Sequence, residues 1–165
     1  MRDAIMKQER KVFSHAPSQN ETEFWAKHGV TLVEEQENIE ALRVRKMLKI
    51  KQSFLAWRSY KATLVSSLGF KVDSNERANT DINGLLVAYE NNKDAQIVFR
   101  DADNQFHNLS YAQLKVLQLE IIENGNYAYA QKWDLEQKVA NASSHEELSA
   151  IRVEFLGKDF TQAEG

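Results

Sequence analysis

Two carboxylates alternate with a neutral residue in Asp101-Ala102-Asp103-Asn104, a spacing at which hard oxygen ligands can meet a calcium ion. Counted from Asp101, however, the loop position that requires glycine holds Phe106, and the position that requires a bidentate glutamate holds Ala112. The EF-hand pattern is therefore excluded. An ordinary turn is the main reading of the tetrapeptide, and an irregular ion site the lesser one. The histidines, His15, His28, His107 and His145, include no pair four residues apart, so a helical metal chelate has no basis. His107 reads as a surface or cross-strand residue and His145 as a solvated residue at a helix start. Adjacent carboxylates at Glu34-Glu35 and Glu146-Glu147 point to different faces of a helix, which suits solvation better than acid–base chemistry. Serine occurs without a nucleophile-elbow motif, and there is no glycine-rich phosphate loop. Zero cysteines remove thiolate nucleophiles, disulfides and cysteine zinc sites together. The expectation is a non-enzymatic protein with no catalytic, metal or cofactor-binding residues.

One charged cluster remains, formed by Arg43, Arg45, Lys46, Lys49 and Lys51. On a helix Lys49 lies four residues from Arg45 and three from Lys46, so part of the cluster makes one positive face. Such a face can be solvated surface, a protein contact, or a phosphate-binding strip, ranked here in that order. Glu34, Glu35, Glu37 and Glu40 precede it, and the resulting dipole agrees in sign with the helix macrodipole and favours protein contacts. The whole chain carries 21 Lys+Arg against 24 Asp+Glu, a formal balance of -3 that attracts neither nucleic acid nor anionic lipid strongly. Apolar residues make up 42% of the 165, enough for one packed domain, or one domain with a helical extension. No apolar run approaches the roughly 18 residues of a membrane span, and the N-terminus lacks a signal-peptide core. No membrane partner and no signal-directed secretion are expected.

The elements that must position these groups read as mainly α with one short β-hairpin, an α+β chain. Residues 1–30 form an N-terminal arm and a short helix. Pro17 lies in the polar stretch Ser14 to Glu21, a mobile loop or an ordered turn with equal weight. A short helix over Glu21 to Lys27 carries Phe24 and Trp25 as an anchor. Residues 31–68 contain no glycine or proline and read as one long amphipathic helix capped by Thr31 with Glu34. Met47, Ile50, Phe54, Trp57, Leu64 and Leu68 fall at steps of three and four, with Lys61 filling one seam position, a stripe that reads as core before it reads as a self-association face. Gly69 stands where a C′ glycine ends such a helix. This helix packs on, or extends from, a small helical domain over 69–156 with its hairpin near 96–109.

Within that domain Asp73 to Glu76 offers N-caps for a helix bearing Ala78, Ile82, Leu85, Leu86 and Tyr89, where Gly84 allows a close helix neighbour. Gln96 to Arg100 and Gln105 to Leu109 are the strands. Ser110 with Gln113 caps a helix whose inner face holds Leu114, Leu117 and Ile121, with Ile122 as a further candidate, and Gly125 ends or kinks it. Asn126 to Asn141 is helical again, with Tyr129, Trp133 and Val139 inward. Ser144 to Glu147 starts a last helix through Leu148, Ile151 and Phe155. Residues 157–165 are expected to be a flexible tail.

The order of short motifs from about Trp57 to Ile151 resembles an uncharacterised domain found in bacteriophage tail-fibre and tail-associated proteins. The features that carry the resemblance are Ser67-Leu68-Gly69-Phe70, Val72-Asp73-Ser74, Asn79 and Ile82-Asn83-Gly84-Leu85-Leu86, then Phe99 to Asn104. Leu109-Ser110 with Gln113-Leu114, Tyr129, Lys132-Trp133-Asp134-Leu135 and Asn141 to Ser144 before Glu147-Leu148 complete it. The resemblance implies a phage tail-associated structural or tail-fibre assembly protein, present in the virion or in the host cytoplasm during assembly. Its expected partners are phage tail or fibre proteins, with homo-oligomerisation as an option. It supplies no catalytic residues. The alternative expectation is a phage or prophage regulator that binds a host protein or nucleic acid. Candidate partner-contact residues are Ile39, Leu42, Arg43, Met47 and Ile50 on the long helix, and Arg100 and Asp103 at the hairpin tip.

Overall fold

The computed structural model describes residues 9–13, 18–28, 30–34 and 38–162. The expectations for Pro17 and for the arm before Glu9 lie outside the described residues. The chain divides into two compact units, residues 1–41 and 42–165.

In the first unit β1 (Glu9–Phe13) pairs in parallel with β2 (Val30–Glu34), from Glu9 opposite Val30 to Phe13 opposite Glu34. Parallel neighbours need a crossover, and α1 (Gln19–Lys27) supplies it. Ser18 caps α1 in a full capping box: its hydroxyl oxygen accepts from the Glu21 amide, while Glu21 accepts from the Ser18 amide at 2.9 Å. This small β-α-β unit contains the expected short helix, which starts two residues earlier than Glu21. Thr31 sits inside a strand and caps no helix.

The second unit is mainly helical, in agreement with the expected class, but it holds two antiparallel hairpins where one was expected. The long helix over 31–68 is not formed. Its helical part is α2 (Ile39–Ala56), which passes into a π-helical turn (Trp57–Lys61) closed by the Ala62 amide on the Trp57 carbonyl at 2.8 Å. Ala62 is already extended, and Thr63, Leu64 and Val65 form β3 (Thr63–Val65) against β4 (Lys71–Asp73). Leu64 and Val72 face each other across this hairpin and are buried in the main core. Burial of this pair overrides a local sequence that tolerates helix, and β-branched Thr63 and Val65 suit the strand. Gly69 has the left-handed φ of 92° that makes glycine useful, but it turns this hairpin and ends no helix.

Next come α3 (Glu76–Ala88), capped by Asn75, and the hairpin β5 (Ile97–Arg100) with β6 (Phe106–Leu109). The two hairpin loops share one geometry. In each, the fourth residue is left-handed, Gly69 or Asn104 (φ 62°), and donates its amide to the carbonyl of the first, Ser66 at 2.9 Å or Asp101 at 3.1 Å. The first residue in turn donates to the fifth, Ser66 to Phe70 and Asp101 to Gln105, both at 2.9 Å. That is the three-residue turn with a bulge that matches strand twist. The loops are joined where the Ala102 amide meets the Lys71 carbonyl at 3.0 Å.

Helix α4 (Tyr111–Asn141) starts on a Ser110–Gln113 capping box and runs without interruption through Gly125. Its Leu114, Leu117 and Ile121 complete the core with Ile82, Leu86, Ile97 and Leu109. Trp133, expected to face inward, is exposed. A short α5 (His145–Ala150) follows, capped by Ser144. Residues 157–162 are not frayed. Lys158 and Phe160 bracket Val65 as an added strand-like contact, the Val65 amide on the Lys158 carbonyl at 3.0 Å and the Phe160 amide on the Val65 carbonyl at 2.8 Å.

Candidate functional site

A cleft of about 200 Å³ opens where the end of α2, the start of α3 and the middle of α4 converge. The π-helical turn shapes one wall. One extra residue per turn carries Trp57 inward while Arg58, its neighbour, reaches the rim, and such turns recur at functional sites. Phe54 forms the base, its ring 4.8 Å from Tyr129 and 5.5 Å from Phe155. From α4, Ile121, Ile122 and Tyr129 face the cleft, and Gly125 leaves open the space a side chain would take.

The rim is polar. Arg58 donates through Nη1 to the Tyr129 hydroxyl at 2.7 Å, and its Nε lies 3.4 Å from a Glu76 oxygen. Asn75 turns its Oδ1 to the Ala78 amide at 2.9 Å, so the cap consumes it. The volume falls below the roughly 300 Å³ at which small-molecule sites begin. Apolar and aromatic walls lie under an Arg58 guanidinium already engaged by Tyr129 and Glu76.

A second constellation lies at the β5–β6 turn. The Asp101 carboxylate is buried, accepting at Oδ1 from the amides of Asp103 (2.9 Å) and Gln105 (2.8 Å) and at Oδ2 facing His107 Nε2 at 2.7 Å. The hydrogen bond from His107, followed by the two amides, holds the Asp101 carboxyl below its ordinary pKa. His107 is stacked on Phe70 with ring centres 3.9 Å apart, which ties this hairpin to the first. All these contacts stiffen the turn. Ser66 heads the other loop in the same manner: its hydroxyl donates to Glu120 at 2.6 Å and accepts from the Leu68 amide at 3.1 Å. Buried Asn124 donates to Ser74 at 2.6 Å and accepts from the Lys158 amide at 2.7 Å, which fastens the C-terminal segment. Among the described residues no three His, Cys, Asp or Glu side chains gather as a metal set, and no helix is long and apolar enough to cross a membrane.

The predicted contact residues separate into three groups. Leu42 and Ile50 are buried, which removes them from any partner surface, and Ile39 and Met47 are half-buried. Arg43 points at the end of α4, donating to the carbonyls of Ala140 and Ala142, both at 3.0 Å, and also to that of Val139. It therefore caps that helix instead of offering its charge outward. Lys46 likewise donates to the Ile151 carbonyl at 2.9 Å, and burial, then the neighbouring Lys49 and Arg45 charges, lower its pKa. Arg100 and Asp103 are exposed at the hairpin, as expected.

Two features escaped the sequence reading. The Asp101–His107 pair spans the turn, and its signal was the hairpin register that returns His107 beside the first strand. The second is a set of exposed apolar residues, Val44, Leu48 and Leu55, at steps of four and seven on α2, on the side away from Ile50. On α4, Leu119, Ile122 and Trp133 are exposed as well.

A family model described as Domain of unknown function (DUF4376) matches residues 37–155. No curated protein and no solved structure matches the chain.

Proposed function

We propose that this chain, which belongs to the DUF4376 family of unknown function, is a non-enzymatic phage tail-associated structural or tail-fibre assembly protein. It acts through protein–protein contacts, in the virion or in the host cytoplasm during assembly. The tail setting is supported by the ordered motifs from Trp57 to Ile151 and their resemblance to a domain of tail-fibre and tail-associated proteins.

The observation that carries the contact mechanism is the outer face of α4. Leu119 is 65% exposed, Ile122 50% and Trp133 59%, and successive steps along the helix bring Ile122 and Tyr129 to the cleft. Large apolar side chains grouped in this way, next to a recess the size of a side chain, are what a helical docking surface needs. A photo-crosslinking residue at position 133, with phage produced in the same cells, tests the reading. Cross-links to a tail or fibre protein are expected. Absence of the protein from both virions and fibre-assembly intermediates refutes it.

A second reading, a phage or prophage regulator of a host protein or nucleic acid, is favoured by the charge of residues 41–72, which include eight Lys or Arg and no Asp or Glu. Duplex DNA binding that weakens steeply with salt is its test.

A further inference from the structure

Helix α2 has two faces with different occupants. Leu42, Ile50 and Phe54 are buried in the second unit, and Arg43 and Lys46 on that side donate to backbone carbonyls of the same unit. On the opposite side Val44 is 67% exposed, Leu48 51% and Leu55 51%. Steps of four and seven keep these three in line on a helix, the spacing of a two-helix seam. Lys49 and Lys51 are exposed beside the seam, as is Arg45, so Leu48 has a cation three residues to either side.

Past Glu40 in the first turn of α2, the charge around this seam has one sign. Residues 41–72 contribute +8, and since the whole chain carries -3, the rest must contribute -11 (-3 less +8). Hydrophobic-seam partners are selected by the charges on its flanks. Two copies of this α2 face would set Arg45, Lys49 and Lys51 against each other, with Glu40 at the far end of the helix as its one carboxylate to answer them. The seam carries no Trp or Phe, the residues that seat interfacial helices in lipid. For nucleic acid, cations would have to lead the contact, whereas here aliphatic side chains occupy the middle.

We propose that the Val44–Leu48–Leu55 face of α2 docks an acidic amphipathic helix of another protein, with aliphatic residues in its seam and Glu or Asp on its flanks. The proposal rests on the part of the preceding reading in which the chain works by protein contact, and it names a surface distinct from the α4 face.

The test uses the full chain and a labelled synthetic peptide of about four heptads with Leu at the seam and Glu on the flanks, followed by fluorescence anisotropy. Saturable binding is expected, weakened about tenfold or more in L48Q/L55Q and in K49E/K51E, and weakened by raising salt from about 50 to 500 mM. A peptide with Lys on its flanks should bind the wild-type chain about tenfold less well and regain binding to K49E/K51E. Because these positions are exposed, circular dichroism of the variants should match wild type, which separates lost docking from lost folding. Equal binding of both peptides, or binding indifferent to both variants, overturns the proposal. So does Leu48-dependent binding of phosphatidylserine vesicles or duplex DNA without binding of the acidic peptide, or a wild-type dimer that L48Q/L55Q dissociates. If the peptide result fails while position 133 still cross-links to a tail protein, this surface is wrong and the tail reading stands. The opposite pair of results sustains the surface and removes the tail setting.

Discussion

Replacing Gly157 by alanine is the sharpest perturbation of how the C-terminal segment is held. A Cβ built there falls 1.8 Å from the Thr63 carbonyl oxygen, 2.9 Å from its carbon and 3.4 Å from the Leu64 Cα. A relaxed carbon–oxygen contact is about 3.3 Å or more, so the two strands of backbone must separate by roughly 1.5 Å. No side chain can rotate away, because the obstacle is the main chain of β3. The displaced segment carries three hydrogen bonds: Val65 to Lys158 (3.0 Å), Phe160 to Val65 (2.8 Å) and Lys158 to Asn124 (2.7 Å). At about 1 kcal/mol net for each bond, the loss is about 3 kcal/mol. Alanine also stiffens the unfolded chain, which offsets roughly 0.5 kcal/mol. A net loss of about 2.5 kcal/mol lowers the melting temperature by roughly 5–10 °C for a chain of this size. Thermal melting followed by circular dichroism measures it, and amide exchange at Val65 and Phe160 gives the local readout. A G157A protein that melts within about 1 °C of wild type, with both amides still protected, refutes the packing argument.

The two glycines inside helices should behave in the opposite way, since nothing lies within 4 Å of a Cβ at Gly84 or Gly125. Alanine at either position should stabilise by about 0.5–1 kcal/mol in chemical denaturation, and at Gly125 it should also obstruct the cleft. Glu120→Ala should cost about 2–3 kcal/mol in the same assay, because it strips the buried Ser66 hydroxyl and the Ser67 amide of their acceptor. Arg43→Ala should cost about 1–2 kcal/mol and raise amide exchange at the end of α4, whose carbonyls it caps. Asp101, with its carboxyl held below the ordinary value by His107 and two amides, releases its proton more readily folded than unfolded. Its stabilisation is therefore complete above the ordinary carboxylate value of about 3.9 and is lost as pH falls through the depressed folded value. Denaturation midpoints measured between neutral pH and pH 2 should show that decline, and Asp101→Asn should flatten it.

Local chemistry made several elements legible. The Ser110–Gln113 box, the Ser144 cap, the Asp101 to Asn104 turn and the apolar face of Leu114, Leu117 and Ile121 depend on neighbours within four residues, and all are present. The candidate cleft was not legible, because its walls come from residues as far apart as Phe54, Glu76 and Tyr129. The α2 seam was half legible: a second apolar series at 44, 48 and 55 was in plain sight, but only burial tells which series faces inward. Arg43 and Lys46 read as surface charge for the same reason, since their carbonyl partners lie about a hundred positions away in the chain.

What the sequence by itself determined is the set of signals carried by adjacent residues: a mainly helical chain, its caps, the hairpin near 96–109, and no thiol chemistry. Only the tertiary structure decided that the stretch after Lys61 is strand, that residues 158–160 are strapped to Val65, and that Gly69 and Asn104 turn twin loops. The physical reason lies in the range of the forces. Capping and turn formation are settled within a few residues, whereas Leu64 becomes a strand residue because Val72 and a distant helix exclude water from it together.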